Sequence, residues 1–244
     1  KQLQLPTVVI IFEPQPQEFF APQTAPARLT RLREKLMAMQ RYGVDKVLCL
    51  QFDAKFAALS AETFIQRVLI NGLGVQHLVV GDDFRFGQGR KGNFAILQKI
   101  GKQYGFTVAS RHTFILGNER VSSTRIRQAL EQGNFQGASE LLGRPYTLHG
   151  RIRHGQQRGR SIGFPTANIF LHRQVSPLNG VFAVTLHGIT NKSLAGVANL
   201  GTRPTIGGDD VLLEVHLFNF DKTIYGNYVE VEFVCKLRNE QCFA

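Results

Sequence analysis

The chain has 244 residues, 43% of them apolar, three cysteines, and a formal charge of +11 at pH 7 with a pI near 10.0. This length accommodates two globular domains, no apolar run is long enough to span a bilayer, and an odd cysteine count without CxxC spacing excludes a disulfide framework and a structural zinc site. The charge calls for a polyanionic partner, whether nucleic acid, anionic lipid or nucleotide phosphate, and does not choose among them.

Val8 to Phe12, Val47 to Leu50, His77 to Gly81 and Phe106 to Ser110 read as short strands bounded by Gly or charged residues. Between them Arg28 to Arg41, Ala61 to Asn71 and Asn93 to Gln103 carry helical spacing. This β/α alternation predicts a mostly parallel sheet with ligands at the carboxyl ends of its strands. After Tyr146 the texture changes. Val181 to His187, Val211 to Phe220 and Tyr228 to Val234 alternate and are separated by turns, which predicts an antiparallel barrel or sandwich. The boundary is expected near Leu142-Gly-Arg-Pro-Tyr146, with Gly143 as the residue closing a helix.

In the first half, Gly81-Asp-Asp-Phe-Arg-Phe-Gly-Gln-Gly-Arg-Lys-Gly-Asn follows a strand. Its GxGxxG string, Gly87 to Gly92, starts six residues past the strand, and the next strand ends in Arg111 and His112 where a dinucleotide site needs an acid; a dinucleotide fingerprint is rejected. The segment reads instead as a mobile loop bearing Asp83, Phe84, Phe86 and Arg90 that closes over an aromatic, phosphorylated ligand, with plain turn formation by Asp82 and Asp83 as the other reading. Arg120-Val-Ser-Ser-Thr-Arg-Ile-Arg enters a helix capped by Ser122 or Ser123. Arg125 and Arg127 oppose the helix dipole there, a conflict that a bound phosphate removes; Ser123, Thr124 and the arginines then form a triphosphate site. An ordinary cap with solvated arginines is the alternative.

In the second half, His149-Gly-Arg-Ile-Arg-His-Gly-Gln-Gln-Arg-Gly-Arg-Ser-Ile-Gly163 reads as a phosphate-handling loop and leads into Phe-Pro-Thr166-Ala-Asn168. In extended backbone Thr166 and Asn168 face the same way, so the hydroxyl and the amide carbonyl meet one hard cation such as Mg²⁺; the same string also makes turns. Leu212, Glu214, His216, Phe218 and Phe220 share one strand face, and apolar flanking residues raise the proton affinity of Glu214 toward that of a general base, unless the strand is a solvated edge.

Phe12-Glu-Pro-Gln-Pro, Gly81-Asp-Asp-Phe-Arg-Phe-Gly, Arg120-Val-Ser-Ser-Thr-Arg-Ile-Arg, Gly163-Phe-Pro-Thr-Ala-Asn, Asn199-Leu-Gly-Thr-Arg-Pro-Thr and Leu213-Glu-Val-His-Leu-Phe, in this order, resemble the bacterial bifunctional FAD synthetase family, a riboflavin kinase fused to an FMN adenylyltransferase. The resemblance covers nearly the whole chain. It implies an α/β Rossmann-like nucleotidyltransferase domain over residues 1–143 and an all-β six-stranded antiparallel barrel of riboflavin kinase type over residues 144–244. It implies a multifunctional cytoplasmic transferase that phosphorylates riboflavin to FMN with release of ADP, then transfers an adenylyl group from ATP to FMN to give FAD and pyrophosphate. By that likeness Glu214 is the base, Thr166 and Asn168 hold Mg²⁺, and Arg160 and Gly163 attend the ATP phosphates. Arg120, Ser123, Thr124 and Arg127 surround the second ATP, and Asp83 lies near the flavin.

This reading carries no nucleic-acid partner and no membrane, and the sequence has no signal for oligomeric state. The family's His-x-Gly-His box occurs nowhere in these residues and is expected upstream of Lys1, just as the family's C-terminal helix is expected beyond Ala244. Two other readings stay open: a monofunctional riboflavin kinase with a degenerate first domain, and a basic nucleic-acid-binding protein presenting Arg151, Arg153, Arg158 and Arg160 to phosphates.

Overall fold

The computed structural model describes residues 3–111, 113–153, 166–173, 175–205, 208–220 and 222–240. It divides into two compact units, one of Lys1–Ala25 with Ala38–Arg120, the other of Pro26–Met37 with Val121–Ala244.

In the first unit β1 (Val8–Glu13) pairs in parallel with β2 (Lys46–Gln51), and β3 (His77–Gly81) pairs in parallel with β4 (Thr107–Arg111). Helix α1 (Pro16–Phe20) follows β1, and α2 (Leu32–Arg41) lies between β1 and β2 in the chain. Beyond β2 come α3 (Ala54–Ala57) and α4 (Ala61–Phe64), which runs on as a π-helix over Ile65–Gly72. Helix α5 (Phe94–Tyr104) connects β3 to β4, and a short hairpin, β5 (Ile115–Leu116) with β6 (Glu119–Arg120), ends the unit. The predicted β/α order is present, with the parallel strands in two separate pairs rather than one continuous ladder. Both pairs pack on one core of Phe64, Ile65, Leu69, Leu97 and Phe106, to which Ile10, Phe12 and Leu50 contribute from one pair and Leu78, Val80 and Val108 from the other. Side-chain caps start the helices: Asp53 accepts from the Phe56 N–H, Ser60 from Thr63 and Asn93 from Ile96.

The second unit holds α6 (Ser123–Glu131), α7 (Phe135–Leu142) and six strands: β7 (Thr147–Arg153), β8 (Thr166–Phe170), β9 (Gly180–His187), β10 (Leu194–Thr205), β11 (Gly208–Leu217) and β12 (Tyr228–Arg238). They close as β10-β11-β8-β7-β12-β9, every neighbour antiparallel. Inward residues such as Leu148, Ile152, Ile169, Phe182, Leu213, Val231 and Phe233 fill the interior. Ile126, Leu130, Phe135 and Ala138 from α6 and α7 belong to the same cluster, with the Phe135 ring 5.8 Å from Phe182 and 6.1 Å from Phe233. The packing therefore divides the chain ahead of α6, although Gly143 does close α7 with φ +69° as its sequence position suggests.

The stretch from His149 to Arg153, predicted as loop, is strand β7. Its glycine and arginines obscure a period of two in which Leu148, Gly150 and Ile152 point in and Arg151 and Arg153 point out. Gly150 is required by close strand approach, because a Cβ there would overlap Ile169 Cγ2 and sit 2.9 Å from the Phe170 carbonyl oxygen.

A buried charge pair ties Pro26–Met37 into the second unit. Arg173 Nη2 donates to both Glu34 carboxylate oxygens, at 3.1 and 2.8 Å, and its Nη1 donates to the Arg28 carbonyl at 2.7 Å. Glu34 also accepts the His149 N–H at 3.2 Å, and Arg31 Nη1 donates to the Leu171 carbonyl at 2.7 Å. Both charged side chains are under 5% exposed. Nearby, burial pushes the Tyr146 phenol up to about 12 against the opposing pull of the Arg173 guanidinium.

Removing one charge of such a pair strands the other, so Glu34→Ala is expected to cost about 3–5 kcal/mol in urea unfolding, while the joint replacement Glu34→Leu with Arg173→Met recovers most of it. A single-variant loss below about 1 kcal/mol would contradict the pair's structural role. Tyr146, with its folded value above the unfolded one, stabilises the unit fully below about pH 10 and loses that contribution between there and about pH 12. In an alkaline absorbance titration Tyr146 is expected to ionise late, together with unfolding, and Tyr146→Phe to remove that step.

Candidate functional site

The barrel interior is filled, so its polar chemistry lies on the outer face. On strands β8 and β11 Asn168 stands opposite Glu214, and Thr166 stands opposite His216. Strand β10 adds Asn199 opposite Glu214, and β7 adds Arg153 opposite Asn168. Asn199, Glu214, Asn168 and Arg153 thus form one row across four neighbouring strands. Residues directly opposite each other share a face with Cβ atoms about 4.5–5.5 Å apart. The alternate residues Ala198, Ala167, Ile169, Leu213 and Val215 are in the core, which fixes the row's outward direction. The predicted facing of Glu214 and His216 away from Leu213, Val215 and Leu217 is what the strand shows.

Within the row Asn168 is buried, at 5% exposure, whereas Glu214 and Asn199 are half-buried and Arg153 is exposed, its guanidinium 5.4 Å from the Phe170 ring centroid. The Asn168 amide nitrogen lies 3.5 Å from the Thr166 carbonyl, along its own strand, and its Oδ1 is the oxygen Asn168 has for a cation. Thr166 Oγ, Asn168 Oδ1 and the Glu214 carboxylate are all hard oxygen donors, the donor type a magnesium ion takes, so the residues present fit such an ion. Among the described residues no group of three or more His, Cys, Asp and Glu is placed to hold a metal. Arg160 and Gly163 lie outside the described residues.

At the start of α6 the cap is Ser122, whose Oγ accepts from the Arg125 N–H at 3.3 Å. Ser123 and Thr124 are exposed in the first turn, which carries no acid. Arg127 has a structural contact: its Nε donates to the Ala27 carbonyl at 2.6 Å, and burial lowers its pKa from the ordinary arginine value.

In the first unit Asp83, after β3, and Arg120, ending β6, form an exposed ion pair of 2.8 Å. The Arg120 guanidinium, by hydrogen bond and charge, holds the Asp83 carboxyl below the usual aspartate range. Asp82 accepts from the Thr113 hydroxyl at 3.2 Å. Of the residues predicted to bind ATP, Arg120 belongs to the first unit and Ser123, Thr124 and Arg127 to the second.

The expected mobile, ligand-closing loop needs correction at Phe86. That ring is only 8% exposed, packs 5.4 Å from Phe64 and stacks with Phe84 at 5.3 Å. A two-way backbone bridge joins Phe86 to Gly92, where any Cβ would press on the Phe86 ring. The glycines of the rejected fingerprint shape this anchored loop, Gly87 and Gly89 having φ of +71° and +64°.

Sequence reasoning missed Asn199 as a neighbour of Glu214, although Asn199-Leu-Gly-Thr-Arg-Pro-Thr is one of the motifs that carry the resemblance; the missing element was the strand register. Glu34 and Arg173, 139 positions apart, carried no local signal at all.

The FAD synthetase family matches residues 1–125 and the riboflavin kinase family residues 142–244. The bifunctional riboflavin kinase/FMN adenylyltransferase of Escherichia coli (strain K12) is 54% identical over 240 residues, covering 98% of this chain and 77% of that protein. The protein of the same description from Pseudomonas fluorescens is 50% identical over 244 residues, covering 100% of this chain and 78% of its own length. A crystal structure described as a macrolide-efflux protein from Streptococcus pneumoniae superposes with a TM-score of 0.78 at 30% identity, covering 99% of this chain and 79% of that one. Among the described residues no helix is long and apolar enough to cross a membrane.

The exposed pair makes a direct prediction. Because the folded value of Asp83 is depressed, its contribution to stability is present above about pH 3.9 and is lost as pH falls through the folded value. Carboxyl titration by NMR is expected to place Asp83 below the ordinary value, and Arg120→Gln to return it there; an unmoved Asp83 would show that the pair does not persist in solution.

Proposed function

Because the chain belongs to the bifunctional riboflavin kinase/FMN adenylyltransferase family, it is an ATP-using enzyme of FAD biosynthesis, and we propose how its residues divide the work. Residues 144–244 phosphorylate riboflavin, and residues 1–143 adenylylate FMN. The observation that carries the kinase assignment is the register that sets Glu214 directly opposite Asn168 on neighbouring strands.

In the kinase step Glu214 takes the proton of the ribityl 5′-hydroxyl as its oxygen bonds to the γ-phosphorus of ATP. The bond from that phosphorus to the bridging oxygen breaks, and ADP leaves. Phosphoryl transfer of this kind depends on positioning and charge neutralisation, with the base adding about 10²–10⁴ in rate. Thr166 and Asn168, with their neutral oxygens on one outer face, would hold Mg²⁺. When bound, Mg²⁺ supplies charge neutralisation at the phosphate oxygens. Gly163 and Arg160 belong to the same phosphate-binding segment by sequence, and Arg153, at the end of the row, adds positive charge beside it.

In the transferase step a phosphate oxygen of FMN attacks the α-phosphorus of ATP, forming the phosphoanhydride of FAD and expelling pyrophosphate. Arg120, Ser123, Thr124 and Arg127 attend the nucleotide phosphates. The free N–H groups, hydroxyls and acid-free first turn of α6 suit an anion, while Arg127 keeps its Nε on the Ala27 carbonyl. Asp83 lies on the flavin side. The compartment is the cytoplasm, consistent with the cysteine usage, and no nucleic acid takes part.

The protein incubated with riboflavin, ATP and Mg²⁺ is expected to yield FMN followed by FAD, separated by chromatography with fluorescence detection. Glu214→Gln is expected to cut FMN formation by about 10²–10⁴ while FAD still forms from supplied FMN. Unchanged kinase turnover in that variant would remove the base assignment. FMN as the sole product of the unsubstituted protein would mean a kinase alone, and no flavin product would favour the nucleic-acid reading.

A further inference from the structure

Strand β7 carries a second set of outward groups beside the row that holds Glu214. Arg151 stands directly opposite Phe170 on β8 and directly opposite Tyr228 on β12, so one arginine is seated between two rings. The chain neighbours of these three, Ile152, Ile169 and Val229, are in the core, which turns the three outward. Two more cations extend the series. The Arg153 guanidinium is 5.4 Å from the Phe170 ring centroid, and the guanidinium of Arg33, on α2, lies 4.1 Å over the Tyr228 ring, both within the range of cation–π attraction. Across the surface the order is Arg153, Phe170, Arg151, Tyr228, Arg33, with cation and ring alternating. The three arginines are exposed and the two rings half-buried, and all five residues belong to the second compact unit. Glu230, two residues beyond Tyr228 on the same face of β12, stands opposite His149 and bounds the strip with an acid.

From this alternation we propose that the outer face of the barrel over β8, β7 and β12 binds single-stranded nucleic acid, with phosphates meeting the arginines and bases stacking on the rings and on the guanidinium planes laid over them. Phe170 and Tyr228 are two strand spacings apart, about 9–10 Å, and Arg151 lies between them, where it meets the phosphate that joins two stacked bases. The chain's formal charge of +11 draws such a polyanion to the surface. The rings decide which polyanion it is. A duplex keeps its base faces covered, and anionic lipid headgroups and acidic peptides engage the arginines alone, whereas unpaired bases use both halves of the alternation. Stacking of this kind is tolerant of sequence, because every base has a π-face. No nucleic acid takes part in either reaction step. The strip shares Arg153 with the row of Glu214 and does not depend on the role of that carboxylate.

The test is fluorescence anisotropy of the full chain with a fluorescein-labelled single-stranded RNA of mixed sequence, about 12 nucleotides long and so within the usual site sizes. Binding is expected to weaken with salt, with a slope of log K against log[salt] of about −2 for three arginine contacts, and Arg151→Gln is expected to reduce that slope by about 0.7. Phe170→Leu and Tyr228→Leu, which keep apolar bulk and charge but remove a ring, are each expected to weaken binding about 5- to 150-fold, the range for losing one stacked base. Tyr228→Phe, which keeps the ring, is expected to bind as the parent does. Unfolding midpoints of all variants identify any whose loss of binding is a loss of fold, and Tyr228→Phe against Tyr228→Leu then carries the comparison. Parent affinity in both leucine variants, or equal affinity for a duplex of the same sequence, would reduce the surface to charge alone and overturn the proposal. Displacement of the RNA by Mg²⁺ and ATP would place it in the nucleotide site of the kinase, and binding to phosphatidylserine vesicles without binding of the RNA would assign the surface to lipid; either result overturns the proposal as well.

Discussion

The charge pair between Glu34 and Arg173 governs how the second unit is put together. Taking both ions out of water carries a penalty of several kcal/mol each, which is offset only when geometry and extra hydrogen bonds are near ideal. Here one guanidinium nitrogen serves both carboxylate oxygens, another serves a backbone carbonyl, and the carboxylate also accepts a strand N–H, while the buried Arg173 Nε has no hydrogen-bond partner among the described residues. A lysine, with a single point charge and no planar fork, does not reproduce that set. The Arg173 carbonyl in turn accepts the Val211 N–H, so the pair sits beside the strand that carries Glu214 as well as the backbone of His149. Residues Pro26–Met37 belong to the barrel's unit for this reason, although the chain on both sides of them belongs to the other.

Closure of the barrel imposes the second constraint. Six strands with every edge paired leave no open ladder, and the described inward residues pack into the middle. Function is confined to the outward half of each strand's alternation and to the connecting segments. A row such as Asn199, Glu214, Asn168 and Arg153 is the natural form of a site on such a surface, because opposite residues on adjacent strands are held at short, fixed spacing by the backbone hydrogen bonds rather than by their own contacts. The same ladder that stabilises the fold sets the geometry of the polar groups.

What the sequence made legible follows from the range of each interaction. Strands β1 to β4 emerged within a residue or two of their bounds because their apolar runs and bounding glycines are local signals. The outward facing of Glu214 and the shared face of Thr166 and Asn168 were readable because a period of two needs only the strand itself. Strand β7 was missed since Arg151 and Arg153 dominate its composition while its inward positions include Gly150, which reads as loop until Ile169 is seen pressing on it. Phe86 looked like a ligand-facing aromatic because nothing nearby in sequence announces that Phe64 and Gly92 enclose it. Register between strands, which joins Asn199 to Glu214, is decided by the whole ladder and has no signature in either strand alone.

The contrast between the Glu34–Arg173 and Asp83–Arg120 pairs explains their different uses. Glu34 and Arg173 are locked out of water, and any opening of that pair exposes charge to a medium that cannot solvate it. Asp83 and Arg120 are 66% and 55% exposed, where water and salt compete for both partners and the attraction is correspondingly shallow. An exposed pair can exchange partners at small cost, so the hydrogen bond and charge of Arg120 that lower the Asp83 carboxyl pKa give an adjustable contact, whereas the buried pair gives a fixed one.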